Sequence, residues 1–322
     1  MMEKNMFSTL TYIDVFFAAT HAYLGIVKNL DEWTLGSRMV EQVDEDTWIG
    51  TASGYQRRLC YHVRRLDGSP FRAIEWQCGY EPGQYFKAYP VLLFPPEYID
   101  PDSVERGVYV HWVSVIDPVR RTPMIMEGIS AVHSSECRAL KAALERRAGL
   151  TEAAPSRYRL AADTIYIDAP IDVAARYIGD ARTVERWSHL LRPDGEVLSD
   201  GGRFRDEYGQ AVEVTFRSHQ LGEYRLVEQN FYYPEHDFLQ RCPVLLIPCA
   251  HAFGDPEARG VIHHRITFWD KNAPPRHGKL QLEDFSAESL NVKRQLEAEA
   301  GHPDTFALGM SYTPRALTGS SR

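Results

Sequence analysis

The chain is short of the features that announce most familiar chemistries. Its 322 residues include only five cysteines, Cys60, Cys78, Cys137, Cys242 and Cys249, with no CxxC pair among them. Neither a disulfide framework nor a zinc ribbon is therefore expected, and buried free thiols account for all five. GxGxxG, Walker, GxSxG and HExxH sequences are all missing, which removes the usual signatures of nucleotide binding, serine hydrolysis and zinc proteolysis. Basic residues number 36 against 44 acidic ones, for a net charge of -8, and form no cluster. A nucleic-acid partner needs a basic stripe, so none is expected. No apolar run reaches the roughly 18 to 20 residues of a membrane span. The opening MMEKNMFSTLTYIDVFF carries acidic residues and no small-residue cleavage site after a basic stretch, so a cytoplasmic protein is expected.

What is present is ordinary globular composition, 44% hydrophobic and 25% charged, over a length that suits two cores rather than one. Each half is large enough to fold without covalent staples. The two halves also resemble each other. PVLLFPPEYIDPDSVERGVYVHWVSVID (90–117) and PVLLIPCAHAFGDPEARGVIHHRITFWD (243–270) align without a gap and share 11 of 28 residues, where unrelated segments would share about two. The identities include Pro90/Pro243, Arg106/Arg259, Gly107/Gly260, His111/His264 and Asp117/Asp270. Further matches are Trp33/Trp187, Glu75/Glu228, Ser134/Ser286 and Glu136/Glu288. The repeat unit is of domain size, too long for a solenoid module or propeller blade. The division expected is 1–149, a linker 150–160, a second domain 161–301, and a fraying tail 302–322.

The second copy shows the local pattern most clearly. TIYID (164–168) alternates as a strand, and APIDVAARYIGD and ARTVERWSHLL read as two short helices with Asp172 in the first turn of the first. Strand-like runs follow at RFRDEYG, AVEVTFRS, YRLVEQNFYY, PVLLIPC, GVIHHRITFWD and GKLQLEDF, divided by Gly, Pro and Asp. SAESLNVKRQLEAEAG closes the copy as a helix, with Ser286 as N-cap and Leu290, Val292 and Leu296 toward the sheet.

This order resembles the helix-grip superfamily of START domains, the birch pollen allergen and polyketide aromatase/cyclases. The residues that carry the resemblance are IDAPIDVAARYIGDARTVERW, the terminal helix, and WIGTASGYQRRLCYHVRRLD in the first copy. The fold class it implies is α+β, two tandem helix-grip domains, each a curved antiparallel sheet wrapped around a long C-terminal helix with an apolar cavity between. The activity it implies is aldol cyclisation and dehydration of a reactive carbonyl or phenolic intermediate. Two alternatives stay open: a zinc-dependent hydrolase of an acylated phenol or related bond, and a carrier that binds an apolar ligand without transforming it. The expected partner is a small apolar or aromatic molecule, free or attached to a carrier protein. No cofactor is called for, and the oligomeric state is left open.

The candidate catalytic residues are His111 and His264. Strand parity groups His111 with Tyr109, Val113 and Val115, and His264 with Ile262, Ile266 and Phe268, so both are expected to face inward. An imidazole there could move a proton near neutral pH; the competing reading is a histidine buried for structural reasons. His263 shares parity with Arg265 and Thr267 and is expected to face solvent or the other domain. Cavity-lining candidates are Tyr61, Phe216, Tyr109 and Phe268, the carboxylates Glu75 and Glu228, and Arg57 at the cavity mouth, where it could hold a carboxylate or phosphate. Metal ligation would need three converging ligands, and the spacings His133/Cys137 and His219/Glu223 supply only pairs.

Overall fold

The computed structural model describes residues 6–53, 57–68, 71–115, 123–152, 155–271 and 275–301; the expected tail and Asp117 lie outside them. The first half runs β1 (Met6–Ile13), α1 (Phe17–Leu24), α2 (Leu30–Trp33), β2 (Ser37–Gln42), β3 (Thr47–Ala52), β4 (Leu59–Gly68), β5 (Phe71–Glu81), β6 (Gln84–Phe94), α3 (Pro96–Ile99), β7 (Val108–Val115) and α4 (Pro123–Arg147). The second half repeats the plan. It opens with β8 (Tyr158–Ile167), α5 (Ile171–Ile178), α6 (Val184–Trp187), β9 (Arg192–Leu198), β10 (Gly201–Arg205) and β11 (Ala211–Leu221). It closes with β12 (Tyr224–Tyr233), β13 (Phe238–Arg241), β14 (Val244–Pro248), α7 (Cys249–Phe253), β15 (Val261–Asp270) and α8 (Pro275–Glu299).

Each half holds one antiparallel sheet, in the orders β1-β7-β6-β5-β4-β3-β2 and β8-β15-β14-β12-β11-β10-β9, with β13 paired to β12. First and last strands pair in both, so that Leu10 lies opposite His111 and Thr164 opposite His264. The tight β11–β12 turn places Gly222 at φ 59, a left-handed conformation that costs glycine little. One expected strand is corrected: GKLQLEDF lies within α8, which begins at Pro275. Its short alternation is outweighed by a continuous run of good helix formers. Ser286 is consequently inside the helix, where its Oγ donates to Asp163 Oδ1 at 3.0 Å.

The two sheets lie face to face and a terminal helix covers each outer face, so the layers run α4, first sheet, second sheet, α8. Three apolar cores result. One joins the first sheet to its helices through Leu24, Trp33, Trp76, Val110, Trp112 and Leu140. The second does the same with Ile178, Trp187, Phe216, Val244, Val292 and Leu296. The third draws on both halves, including Phe71, Leu92, Tyr109, Leu226, Leu245 and Ile266. Burying such side chains contributes roughly 1.5–3 kcal/mol each, so the sheet-to-sheet layer is a main source of cohesion. It also explains why every residue of β7 and the first eight of β15 are buried: these strands have no solvent face.

Candidate active site

The parity assigned to His111 and His264 holds, but the face they share looks at the opposite sheet and not at the terminal helix. Both side chains are fully buried, and their Nε2 atoms lie 3.0 Å apart with the rings parallel to within 2°. Thr164 Oγ1 sits 2.8 Å from His264 Nδ1. Burial pushes His111 well below the usual imidazole range, with His264 adding to the effect. Burial first, and His263 next, push His264 down to about 3. Two neutral rings sharing one proton between facing nitrogens fit this geometry. The expectation that they line a ligand cavity is corrected, because a sheet buried on both sides makes an apolar face uninformative about which partner it meets. Tyr109 and Phe268 follow them into the inter-sheet layer, against Tyr12 and Tyr158 (5.0 and 5.6 Å) and against Phe94 (5.0 Å).

Glu75 and Glu228 also belong to this layer. Glu75 is fully buried and receives Arg64 at 3.1 Å, Gln77 at 2.7 Å, His251 at 2.7 Å and the hydroxyl of Tyr224. Its counterpart Glu228 meets His219 at 2.8 Å and lies beside Tyr98. The arrangement is reciprocal, since Tyr98 and His251 occupy matched positions 153 residues apart and each reaches the glutamate of the other half. Glu75, Glu223 and His251 form the one group of three converging metal-type ligands among the described residues, their donor atoms all within 4.8 Å. Arg64 bridges both carboxylates there, at 3.1 and 2.7 Å, and four donors saturate Glu75. Arg64 and the hydrogen-bond donors Gln77, Tyr224 and His251 already satisfy the buried carboxylate, so the cluster reads as an ionic and hydrogen-bonded tie between the halves. The anticipated pair His219/Glu223 separates, with His219 going to Glu228.

Chemical character instead accumulates under α8. His263, expected to face away, points with Arg265 and Thr267 into the helix-covered interior; all three are buried. The Arg265 guanidinium meets Glu288 of α8 at 2.6 Å and lies 5.3 Å above the Trp187 ring. Ser188 donates to the other Glu288 oxygen at 2.5 Å. Asp163, directly across from Arg265 on β8, has Oδ1 held by Ser286 and a buried Oδ2 with no partner. His263 Nδ1, Gln229 Oε1 and Ser289 Oγ are likewise buried and unmatched. Desolvation, then Arg265, push the His263 pKa down to about 3, so the ring is neutral at ordinary pH.

The same positions in the first half are different. Val110, Trp112 and Ser114 stand where the second half has His263, Arg265 and Thr267, and Trp76 stands where it has Gln229. Trp76 Nε1 donates to Leu24 O at 3.0 Å and Gln229 Nε2 donates to Ile178 O at 3.1 Å, one structural bond made by two residue types. Trp33, Trp76 and Trp112 pack against one another in the first interior, with ring centroids 5.0–5.5 Å apart. Tyr61 and Phe216 do face their helices, as parity predicts, the Tyr61 hydroxyl donating to Ser37 Oγ at 3.2 Å. Arg57 is exposed and stacks on Tyr80 at 3.3 Å. The signal that could have located the polar interior was the alignment of the halves, whose gap-free segment sets Trp112 against Arg265 and whose Glu75/Glu228 match sets the next residues, Trp76 and Gln229, against each other.

A family model described as "Domain of unknown function (DUF8713)" matches residues 2–153 and again 160–305. The chain belongs to this family. Both halves of this DUF8713 protein are thus copies of one domain. No curated protein matches it. Among solved structures, it is similar to the di-domain ARO/CYC BexL from the BE-7585A biosynthetic pathway, at 16% identity and a TM-score of 0.30, over 94% of this chain and 97% of that one. It is similar also to the di-domain ARO/CYC StfQ from the steffimycin pathway, at 11% identity and 0.30 over 92% and 99%. A third is DynU16 from the dynemicin biosynthetic locus, at 12% and 0.29 over 92% and 99%. No helix among the described residues of this DUF8713 protein is long and apolar enough to cross a membrane.

Proposed function

We propose that the chain is a cyclase that closes and dehydrates a carbonyl-bearing chain in the helix-covered interior of its second half. The observation that carries this reading is that Gln229 and Arg265 stand where the first half has Trp76 and Trp112, which gives an ionised, hydrogen-bonding lining facing α8 in place of an aromatic one. Asp163 Oδ2 is the base: Ser286 orients the other oxygen, and the free one can take a proton from the carbon between two carbonyls. Arg265, steadied by Glu288, holds the resulting enolate oxygen. The enolate carbon forms the new bond to a second carbonyl, to which neutral His263 donates. The Asp163 proton then returns to the alkoxide to give an alcohol; Asp163 next removes a second α-proton, the C–O bond breaks as the C=C bond forms, and the departing hydroxide takes that proton from Asp163 and leaves as water. His111 and His264 have no part in this scheme, since a molecule under either helix is separated from them by a sheet.

The test is incubation of the purified protein with an aryl 1,3,5-triketone, followed by mass spectrometry. The expected result is accelerated loss of one water from the triketone, abolished in Asp163→Asn and Arg265→Met. A triketone that binds but is returned unchanged would overturn the catalytic reading and leave the carrier reading, which the deep burial of Arg265 and Glu288 also suits.

A further inference from the structure

The first half's interior contains a polar pair that the scheme above does not use. On α4, His133 lies 3.0 Å from Ser114 Oγ through Nδ1, while its buried Nε2 has no partner. On β7, the Trp112 ring touches the His133 ring, with centroids 4.6 Å apart, and its buried indole Nε1 has no partner either. The side chains are 3% and 6% exposed, so bulk water does not serve them. A buried polar group left unmatched costs about 1–3 kcal/mol, and two in ring contact mark a position where an acceptor is wanted. Trp33 and Trp76 set flat aromatic surfaces around the same spot.

We propose that this interior is a second binding site, for a flat, neutral, carbonyl-bearing molecule whose oxygen accepts from Trp112 Nε1 and His133 Nε2. The tautomer this site requires has Ser114 donating to Nδ1, with the single ring proton of neutral His133 on Nε2. Burial pushes His133 down to about 4, so no positive charge is available to a ligand from this ring. Trp112 itself occupies the position that supplies the cation Arg265 in the second half. The site should therefore accept a ketone, quinone or lactone and discriminate against a carboxylate, which would be stripped of water without a counter-charge. The two halves then bind different chemical forms, neutral acceptors in the first and enolisable, charge-developing ones in the second.

The test uses the full chain and a matched pair of probes, 2-acetylnaphthalene and 2-naphthoate, followed by 1H–15N NMR of the six tryptophan indole N–H groups with Trp112→Phe for assignment. The expected result is a downfield shift of the Trp112 signal with the ketone, and binding at least tenfold weaker for the carboxylate. His133→Phe should weaken ketone binding about tenfold, and His133→Gln, which keeps a donor near the Nε2 position, should restore most of it. An unmoved Trp112 signal on binding, equal affinity for 2-naphthoate, or a bound water at the indole N–H that the ketone fails to displace would overturn the proposal. Arg265→Met/Glu288→Met, which removes the second half's charges without stranding either, leaves ketone binding in the first half unchanged, so failure of the cyclase scheme and failure of this site are read separately.

Discussion

Acidification should unfold this protein at a pH where most globular proteins are still stable. His111, His133, His263 and His264 are all buried and all held below the ordinary imidazole value, His263 and His264 at about 3 and His133 at about 4. In the unfolded chain each would titrate near 6.5. Above that value both states are neutral and the four contribute nothing to the pH dependence. As the pH falls below it, the unfolded state takes up protons that the folded state refuses, so stability falls. At pH 5.5 the loss is about 1.4 kcal/mol per histidine, or roughly 6 kcal/mol for the four. That is comparable to the entire stability of a typical domain, about 5–15 kcal/mol. Urea denaturation followed by tryptophan fluorescence at pH 7.5, 6.5, 5.5 and 5.0 measures it. The double variant His111→Leu/His264→Leu removes two of the four and should roughly halve the loss. A free energy of unfolding that stays level from pH 6.5 to 5.0, or an unchanged slope in the double variant, would refute the reasoning.

Three further outcomes follow from the packing. Glu75→Ala leaves Arg64, His251 and Tyr224 without their shared carboxylate and should cost about 3–5 kcal/mol in urea unfolding. Arg265→Met alone strands the buried Glu288 carboxylate and should cost a similar amount, whereas Arg265→Met/Glu288→Met should recover much of it while staying inactive; melting temperature and turnover separate the two effects. Gly254 sits at φ 59, and a methyl group on it would run into the carbonyl oxygen of Tyr85 in the other half, so Gly254→Ala should lower stability by more than about 1 kcal/mol, visible as a lower melting temperature.

The local structure was largely legible. The repeat, the short helix pair ending in Trp33 or Trp187, and the terminal helix all follow from periodicity and punctuation, and the inward direction of Tyr61 and Phe216 follows from parity. The misreadings have one physical source. In VYVHWVSV neither parity set is polar in the way a solvent face is, as expected of a strand covered on both sides, whereas in VIHHRITF the set His263, Arg265 and Thr267 has the polarity of a solvent face and is nevertheless buried under α8. Assigning Tyr109, His111, Phe268 and His264 to a cavity treated one of two buried faces as the inner one. The error over GKLQLEDF was of a different kind, since alternation over so few residues does not separate strand from helix.

The sequence by itself determined that there are two copies of one α+β unit, where most of their strands and helices lie, and which side chains share a face, because those depend on spacings of two and 3.6 residues along the chain. Only the tertiary structure decided what each face meets. Packing sheet against sheet buried the paired histidines and glutamates between the halves, and it left the helix-covered sides to Arg265, His263 and Asp163 in one half and to Trp112 and His133 in the other. Periodicity is a property of one strand, whereas the partner of a buried face depends on how two sheets minimise exposed apolar surface together.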